Sequence, residues 1–585
     1  MTENTGSLTQ STAFLRTAYR AAVIPGIISF FSSNLALLAD GILVGQYVGV
    51  KGLAAVSLST PIILLINMIA ACLSCGAETL CARAVGENHG DQAQRLYSIH
   101  LTLILIFSAV LMATGMFLME PIASGLCGDD PSLISLVCEY TQIYLLAVPA
   151  IMLTFPPFWF LPLEGKNASV SVMMLIMGIG NILLDILFLY VLRMGVRGAA
   201  LASVLSAGAA SVFGMCSLHT GRHTFSLRLV RPCLKELLNM AGAGSPEAVS
   251  NLFQALRVFV VNSILLRLSG NMMLAQFMIA RFTVVSAMAS LTEGITLGVP
   301  QSGTAILGVY SGERDNPSIL ILLRQQLRIG LIGCALLALL LFFGSSAIGG
   351  MYQVNGMELP LAMLAVSLFP TLLINILTGF YRVSGREMLS NILIISRTFV
   401  FCVVSLLVLY AIGATPWLFL VTETLLTLLL WAGLTFFIRR KEKNKPLSRW
   451  LLMDRSLEDG GNSINFSSTS EMNAICEASE RIGAFCADNQ MAPKQTMRVS
   501  LALEEMMTLI TQFNPDTALS FDVRVFSVQG VIGIRIRYGG IDFNPLSPEY
   551  EDDERFMGIQ MVRNLAVETI YQCTFGVNSL LILIE

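Results

Sequence analysis

A chain of 585 residues that is 55% hydrophobic and 13% charged, with a mean hydropathy of +0.71, is not an ordinary soluble globular protein, in which about a quarter of the residues are charged. Its net charge of −3 offers no basic surface to nucleic acid. The twelve cysteines are scattered. Cys72-x-x-Cys75 lacks a second ligand pair at zinc spacing, so these thiols read as small core residues.

Residues 1–20 are polar and end in Arg16 and Arg20, a cytoplasmic start rather than a cleaved leader. Apolar runs then predict twelve spans, near 22–47, 53–80, 98–119, 138–161, 168–192, 199–219, 241–267, 272–297, 327–349, 359–381, 389–412 and 415–438. With the N-terminus inside, the inner segments collect most of the basic residues. These are Arg16 and Arg20; Arg83 and Arg95; Lys166; Arg222, Arg228, Arg231 and Lys235; Arg314, Arg324 and Arg328; Arg382 and Arg386; and the cluster Arg439 to Lys445. The outer loops keep Lys51, Arg193, Arg197 and Arg267. The positive-inside bias therefore predicts both termini in the cytoplasm and a chain of the inner, plasma membrane.

The spans read as two copies of six. Pro25 in the first span is echoed by Pro246 in the seventh, the loop Val85 to Asp91 by Val309 to Asp315, and Gly165 by Gly385. The predicted fold class is an all-α polytopic membrane protein of twelve transmembrane helices in two six-helix repeats, followed by a cytoplasmic α/β sandwich. The predicted domains are a first lobe over 1–230, a second over 231–445, a linker over 446–470 and the soluble domain over 471–585.

Within the fifth span, Asn181 and Asp185 lie one helical turn apart on one face. A carboxylate inside a membrane is costly and marks a functional site. Asp40 in the first span is the matching acid: at 1.5 Å per residue both lie about 26 Å from the inner end. Ser203, early in the sixth span, falls at a similar level. Two Asp, an Asn and a hydroxyl at one depth make an oxygen-rich site for Na⁺ or a shared proton. Four other intramembrane charges, Glu247, Arg281, Glu293 and Arg397, are candidates for a substrate cleft or for pairing, with Glu423 a further partner.

Asp40-Gly-Ile-Leu-Val-Gly45-Gln-Tyr-Val-Gly49, Leu53-Ala-Ala-Val-Ser, Gly86-Glu-Asn-His-Gly-Asp91, Asn181-Ile-Leu-Leu-Asp185 and Gly195-Val-Arg-Gly-Ala-Ala-Leu-Ala-Ser203 follow one another in order. Over about residues 15–440 the chain resembles the multidrug and toxic compound extrusion (MATE) transporters. The resemblance implies a cation-coupled antiporter, not an enzyme, that exports amphipathic, often cationic organic compounds. It maps the family's first-lobe acidic pair onto Asp40 and Asp185 and its Asn onto Asn181. Ser203 stands where Thr is usual, which keeps the hydroxyl and leaves the choice between Na⁺ and H⁺ open.

After the basic cluster, a Ser/Asn/Gly stretch near 459–470 reads as linker. The tail then predicts helices over 471–489 and 493–513, strands over 519–528 and 531–538, a helix over 555–566 and strands near 568–573 and 577–584, in a mixed sheet. Leu501-Ala-Leu-Glu-Glu505, Gly540-x-x-Phe543-Asn-Pro545, Gly558-Ile-Gln-Met-Val-Arg563 and Gly576-Val-Asn-Ser-Leu580 resemble the ATPase fold of anti-sigma-factor kinases and histidine kinases, the GHKL group. Glu505, Gly540, Gly558 and Asn578 would form the vestige of its nucleotide site. Leu509, Tyr538 and Phe556 replace a Mg²⁺ ligand, the adenine-reading Asp and a phosphate-loop Gly. These losses argue against phosphoryl transfer and for a regulatory domain with a cytoplasmic protein partner. No cofactor is expected beyond the coupling ion; the partners expected of the membrane part are a small organic substrate and lipid. Two alternatives stay open: a flippase for lipid-linked precursors, with Arg257, Arg281 and Arg397 as its cations, and a membrane sensor that signals through the tail.

Overall fold

In hydrocarbon a segment must bond every peptide N–H and C=O internally, so long apolar runs become helices. The computed structural model describes residues 5–584 apart from 49, 88, 128–130, 221–224, 227–229, 231–232, 269–271, 314, 352–353, 442–450, 454–461, 516–518, 529–530, 542, 547–556 and 575–576. Arg222, Arg228, Arg231 and Arg314, the end of the basic cluster after Lys441, and Phe556 lie outside the described residues.

The first lobe runs through α1 (Thr5–Tyr47), α2 (Val50–Gly86), α3 (Gly90–Cys127), α4 (Pro131–Leu146), α5 (Val148–Met152), α6 (Phe155–Leu163), α7 (Asn167–Asp185) and α8 (Val196–His219). The second has α9 (Leu234–Leu268), α10 (Met272–Thr296), α11 (Gly298–Gln301), α12 (Thr304–Gly312), α13 (Asn316–Phe343), α14 (Ser345–Met351), α15 (Glu358–Val383), α16 (Glu387–Ile395), α17 (Phe401–Ala411) and α18 (Phe419–Lys441). Among the described residues ten stretches are long and apolar enough to cross a membrane. The pair Leu133–Leu146 and Val148–Leu163, bent by 57°, makes an eleventh; Pro149 sits in the first turn after the break. The expected seventh span lies inside α9, a continuous helix of 35 residues that carries Glu247 and Arg257.

Two backbone features recur in the two halves. Gly165 and Gly385 both hold positive φ, 75° and 78°, just before α7 and α16, a conformation that favours glycine. Both helices then pass into a π-helical stretch, Ile186–Val191 after α7 and Ser396–Val400 after α16. One apolar core gathers Tyr97, Ile99 and Phe160, and a second gathers Leu322, Leu372 and Phe380.

The lobes meet along α2 and α9 and where α1 crosses α10 and α11. Gly76 and Gly244 touch there: a Cβ on Gly76 would run into the Met240 carbonyl, and one on Gly244 into that of Cys72. At the end of α2, Gly86 and Gly312 meet backbone to backbone in the same way. Ion pairs join the lobes at this end: Arg83 with Glu387 at 3.8 Å, and Arg95 with Glu236 at 3.1 Å. Arg83 also donates to the Val383 carbonyl at 2.9 Å.

The tail is a two-layer domain. β1 (Asn462–Thr469), α19 (Met472–Asp488), α20 (Pro493–Gln512), β2 (Ser520–Val528), β3 (Val531–Tyr538), α21 (Met557–Leu565), β4 (Ala566–Thr574) and β5 (Val577–Ile584) follow in order. The sheet order is β1-β2-β3-β5-β4. Two expectations are corrected. Every pairing is antiparallel, so the sheet is not mixed; hairpins β2–β3 and β4–β5 leave no strand to cross over in parallel. The stretch read as linker contains β1, whose serines and asparagines hid an alternation in which Phe466 joins the core. The helices cover the face bearing Val523, Val525, Ile534 and Ile536. The opposite face carries Asp522, Arg524, Arg535 and Arg537, as the strand period of two requires.

Candidate cation site, substrate cleft and tail interface

Asp185 ends α7 at the point where the helix widens to the π-helical form, a distortion frequent at functional sites. It is fully buried, and Asn181 one turn earlier is 8% exposed. Asp40 on α1 faces Asp185 within hydrogen-bonding range. Among the described residues no protein donor reaches either oxygen of Asp185 or Oδ1 of Asp40. Asn181 Nδ2 donates to Ser203 Oγ at 3.2 Å, leaving its carbonyl oxygen as an acceptor. Two tyrosines of α4 complete the cluster: Tyr144 bonds Ser203 and Tyr140. Val44, Leu189, Val196 and Ala199 wall it with apolar atoms.

The four residues expected to meet at one depth are thus together. Tyr140 and Tyr144 were missed by sequence reading, although their spacing of four in an apolar run places both on one face. A buried carboxyl without donors beside a second, half-buried one is unfavourable unless a cation or a shared proton offsets them.

A cavity of about 270 Å³ lies between the lobes, lined by Ser33 and Asn34 of α1 and by Glu247, Glu293, Asn375 and Arg397 of the second lobe. Three of the four cleft candidates, Glu247, Glu293 and Arg397, therefore converge. Arg397 donates to Asn375 Oδ1 at 3.1 Å. Deeper in the second lobe, Arg257 pairs with Glu423 at 3.0 Å. Arg281 does not belong to this set. It donates to the Asn355 carbonyl at 3.0 Å, in the loop before α15, because its position ten residues into α10 leaves it beyond the reach of the cleft.

Arg382, read from sequence as a loop cation, is instead 4% exposed at the cleft wall. It pairs with Glu247 at 3.4 Å and donates to Gln301 and Thr304, each at 3.2 Å. Its guanidinium lies 5.3 Å from the ring centre of Trp159, a residue of the first lobe. Glu78 of α2, 2% exposed, is another intramembrane acid that sequence reading passed over.

In the tail, Glu505 packs against Gly558, which has no room for a Cβ. Gly540 has φ of +96° beside Asn514. Asn578 donates to the Ile541 carbonyl at 3.0 Å and accepts from Tyr571 at 2.6 Å. The four vestigial residues thus sit in three separate contacts within the tail. Tyr538 is fully buried and donates to the Phe543 carbonyl at 2.6 Å, and Leu509 belongs to the core.

The arginine face of the sheet is not open. Arg535 pairs with Glu313 at 3.1 Å and Arg524 with Asp315 at 3.2 Å, just past the end of α12. Arg537 also reaches Glu313, and it lies 3.4 Å from Asp522 and 4.6 Å from the Tyr310 ring centre. Arg524 and Arg535 stand directly opposite on paired strands, an arrangement that repels unless anions neutralise it. Burial, with Arg524 adding to it, brings Arg535 down to about 10. Leu452 and Met453, just before the tail, join the core of the second lobe. With Arg83, Glu87, Gly312 and Phe380 they line a cavity of about 200 Å³ at the seam of the lobes. α1 packs on β1 and β2 of the tail.

The MatE family model matches residues 25–191. The multidrug export protein MepA of Staphylococcus saprophyticus is 22% identical over 426 residues, 70% of this chain and 93% of that protein. The FAD transporter of Shewanella oneidensis is 28% identical over 251 residues, 41% of this chain, and the match spans about half, 54%, of that protein's length. A solved outward-facing multidrug resistance MATE family transporter has a TM-score of 0.66 at 23% identity, with 75% of this chain matched to all of it. A MATE crystal structure in complex with MaL6 gives 0.67 at 23% identity, again over its full length. The membrane part therefore has the multi-pass helical fold of these transporters.

Proposed function

We infer that the chain is a MATE-family transporter, and we propose that it is a secondary active antiporter that exports amphipathic, often cationic organic compounds in exchange for Na⁺ or H⁺, with a tail that regulates it. The observation that carries this reading is half-buried Asp40 facing fully buried Asp185, with no protein donor among the described residues to either oxygen of Asp185 or to Oδ1 of Asp40. An entering cation or proton relieves that arrangement, and its release restores it, so occupancy can bias the packing of α1 against α7. The recurring Gly165/Gly385 and π-helical features support the two-repeat, twelve-span plan. In the proposed topology the termini are cytoplasmic. The lobes are then closed at the cytoplasmic end by Gly76, Gly244 and the crossing ion pairs, as in an outward-facing state.

The experiment is efflux of organic cations from vesicles under separate Na⁺ and proton gradients, with the wild type, Asp40→Asn and Asp185→Asn. Ion-coupled efflux is expected to vanish in both variants while expression persists. Undiminished coupled transport in both would overturn the mechanism.

A second reading concerns the substrate. The cleft holds Arg382 and Arg397 beside Glu247 and Glu293, with Arg257 behind them. Among the described residues Arg397 has no carboxylate within ion-pair distance, its named partner being Asn375. An anionic group would fit there, and the relative from Shewanella is named a FAD transporter. Competition by flavin nucleotides against organic cations separates the two substrate classes.

A further inference from the structure

Outside the cleft and the tail interface, four arginines converge on one groove. Arg16 and Arg20 lie one turn apart on α1, and Arg324 and Arg328 one turn apart on α13. The two helices pack against each other, and the groove between them encloses about 310 Å³. Among the described residues no carboxylate lies within ion-pair distance of any of the four. Like charges one turn apart repel, and two such pairs facing each other repel further. Among the described residues no acid offsets this.

The groove is also apolar: Ile321, Ile329 and Ile332 share its walls. It sits at the edge of the membrane part, where residues 19 and 316 begin the first and seventh of the ten long apolar stretches. From Arg324 the period of four continues through Arg328 to Ile332, Leu336 and Leu340, which are 65%, 64% and 61% exposed. One stripe of α13 therefore runs from cation to bare hydrocarbon-facing side chains. The side-chain carbonyl oxygen of half-buried Gln325, between the arginine turns, is itself buried and has no partner among the described residues.

We propose that this groove binds an anionic phospholipid of the adjacent leaflet, with its phosphate among Arg16, Arg20, Arg324 and Arg328 and an acyl chain along Ile332, Leu336 and Leu340. Planar guanidinium groups suit phosphate oxygens, and basic pockets between spans are known to take lipid headgroups. A soluble anion could use the arginines but would gain nothing from the stripe below them. The inference rests only on the chain spanning a membrane, and not on what the cleft transports.

The test uses the full chain purified in detergent. Lipid retention is read by native mass spectrometry, and stability by thermal unfolding with added phosphatidylglycerol, phosphatidylcholine or inorganic phosphate. Phosphatidylglycerol is expected to be retained and to raise the melting temperature; the other two are not. At about fivefold per arginine, Arg324→Gln with Arg328→Gln, or Arg16→Gln with Arg20→Gln, should weaken phosphatidylglycerol binding about thirtyfold. Arg439→Gln with Arg440→Gln, at the end of α18, should leave it unchanged. Equal stabilisation by phosphatidylcholine or by phosphate would overturn the proposal. So would unaltered lipid retention in the groove variants, or an equal loss in the α18 variant. If one groove pair does not fold, the other decides.

Discussion

Arg535 on β3 and Glu313 beyond α12 form an ion pair at 3.1 Å with side chains 4% and 5% exposed, which ties the soluble tail to a loop of the second lobe. The pair is buried in the joined molecule, so removing one partner leaves an uncompensated charge and costs about 3–5 kcal/mol. Glu313→Ala and Arg535→Ala are each expected to release the tail, seen as faster amide exchange in β2 and β3. The double variant should lose much less than the sum. Strictly additive losses would mean that the two residues do not hold the domains together.

Release of the tail should also change transport. Glu313 and Asp315 follow Gly312, which meets Gly86 across the seam of the lobes, and Leu452 and Met453 fill the same seam. An outward-to-inward change must open this contact in the proposed topology. If the tail regulates transport as proposed, it braces the closed end, and Arg524→Ala with Arg535→Ala should raise the rate of inward opening. Cysteine accessibility at the seam under transport conditions measures this. Unchanged accessibility after undocking would remove the regulatory role.

Much of this arrangement was legible in the residues, and the reason differs from place to place. Asp40, Asn181, Asp185 and Ser203 could be brought together because helix rise and span direction fix depth. The strand alternation put Arg535 and Arg537 on one face, but no local pattern says what covers that face. Arg382 was misplaced because a cation near a span's end is usually in the loop; only tertiary packing puts Glu247, Gln301 and Trp159 around it. β1 was hidden by its composition, since an edge strand with serines on its polar face resembles a linker.

Tyr144 supplies a hydroxyl that sequence reading did not assign to the cation site. Tyr144→Phe removes its bond to Ser203 at a cost of about 1–1.5 kcal/mol, roughly tenfold in the apparent affinity for the coupling ion. Ser203→Ala should act similarly and also leave Asn181 Nδ2 without its acceptor. The ion dependence of efflux reports both shifts. An effect on maximal rate alone would place the tyrosine outside the ion's coordination.

Gly76 and Gly244 allow α2 and α9 to touch at backbone distance, and neither has space for a methyl group. Gly76→Val should hold the lobes apart at the tail end, so the packed state gives way to a splayed one and coupled efflux falls by an order of magnitude or more. Gly242, three residues from the contact's neighbour Ser245, has open space around a Cβ, so Gly242→Ala should transport normally. Normal efflux by Gly76→Val would show that the close α2–α9 contact is not needed in the cycle.

Arg382 joins the lobes at the cleft through Glu247 on one side and Trp159 on the other. Arg382→Gln keeps hydrogen bonds to Gln301 and Thr304 within reach but removes the charge that faces Glu247 and Glu78. Buried Glu78 and half-buried Glu247 then lose their compensating cation, at a cost of about 3 kcal/mol. The variant is expected to unfold at lower temperature. Arg382→Gln with Glu247→Gln should recover part of that loss because one orphaned acid is gone. Arg397 hydrogen-bonds neutral Asn375 and faces Glu293 and Glu423 at longer range, so Arg397→Gln should cost less stability than Arg382→Gln and shift the ratio of cationic to anionic substrate transported. Melting curves and a two-substrate efflux assay on the three variants separate a structural cation from one that reads the substrate. The assignment fails if Arg397→Gln alters melting as much as Arg382→Gln while the substrate ratio stays fixed.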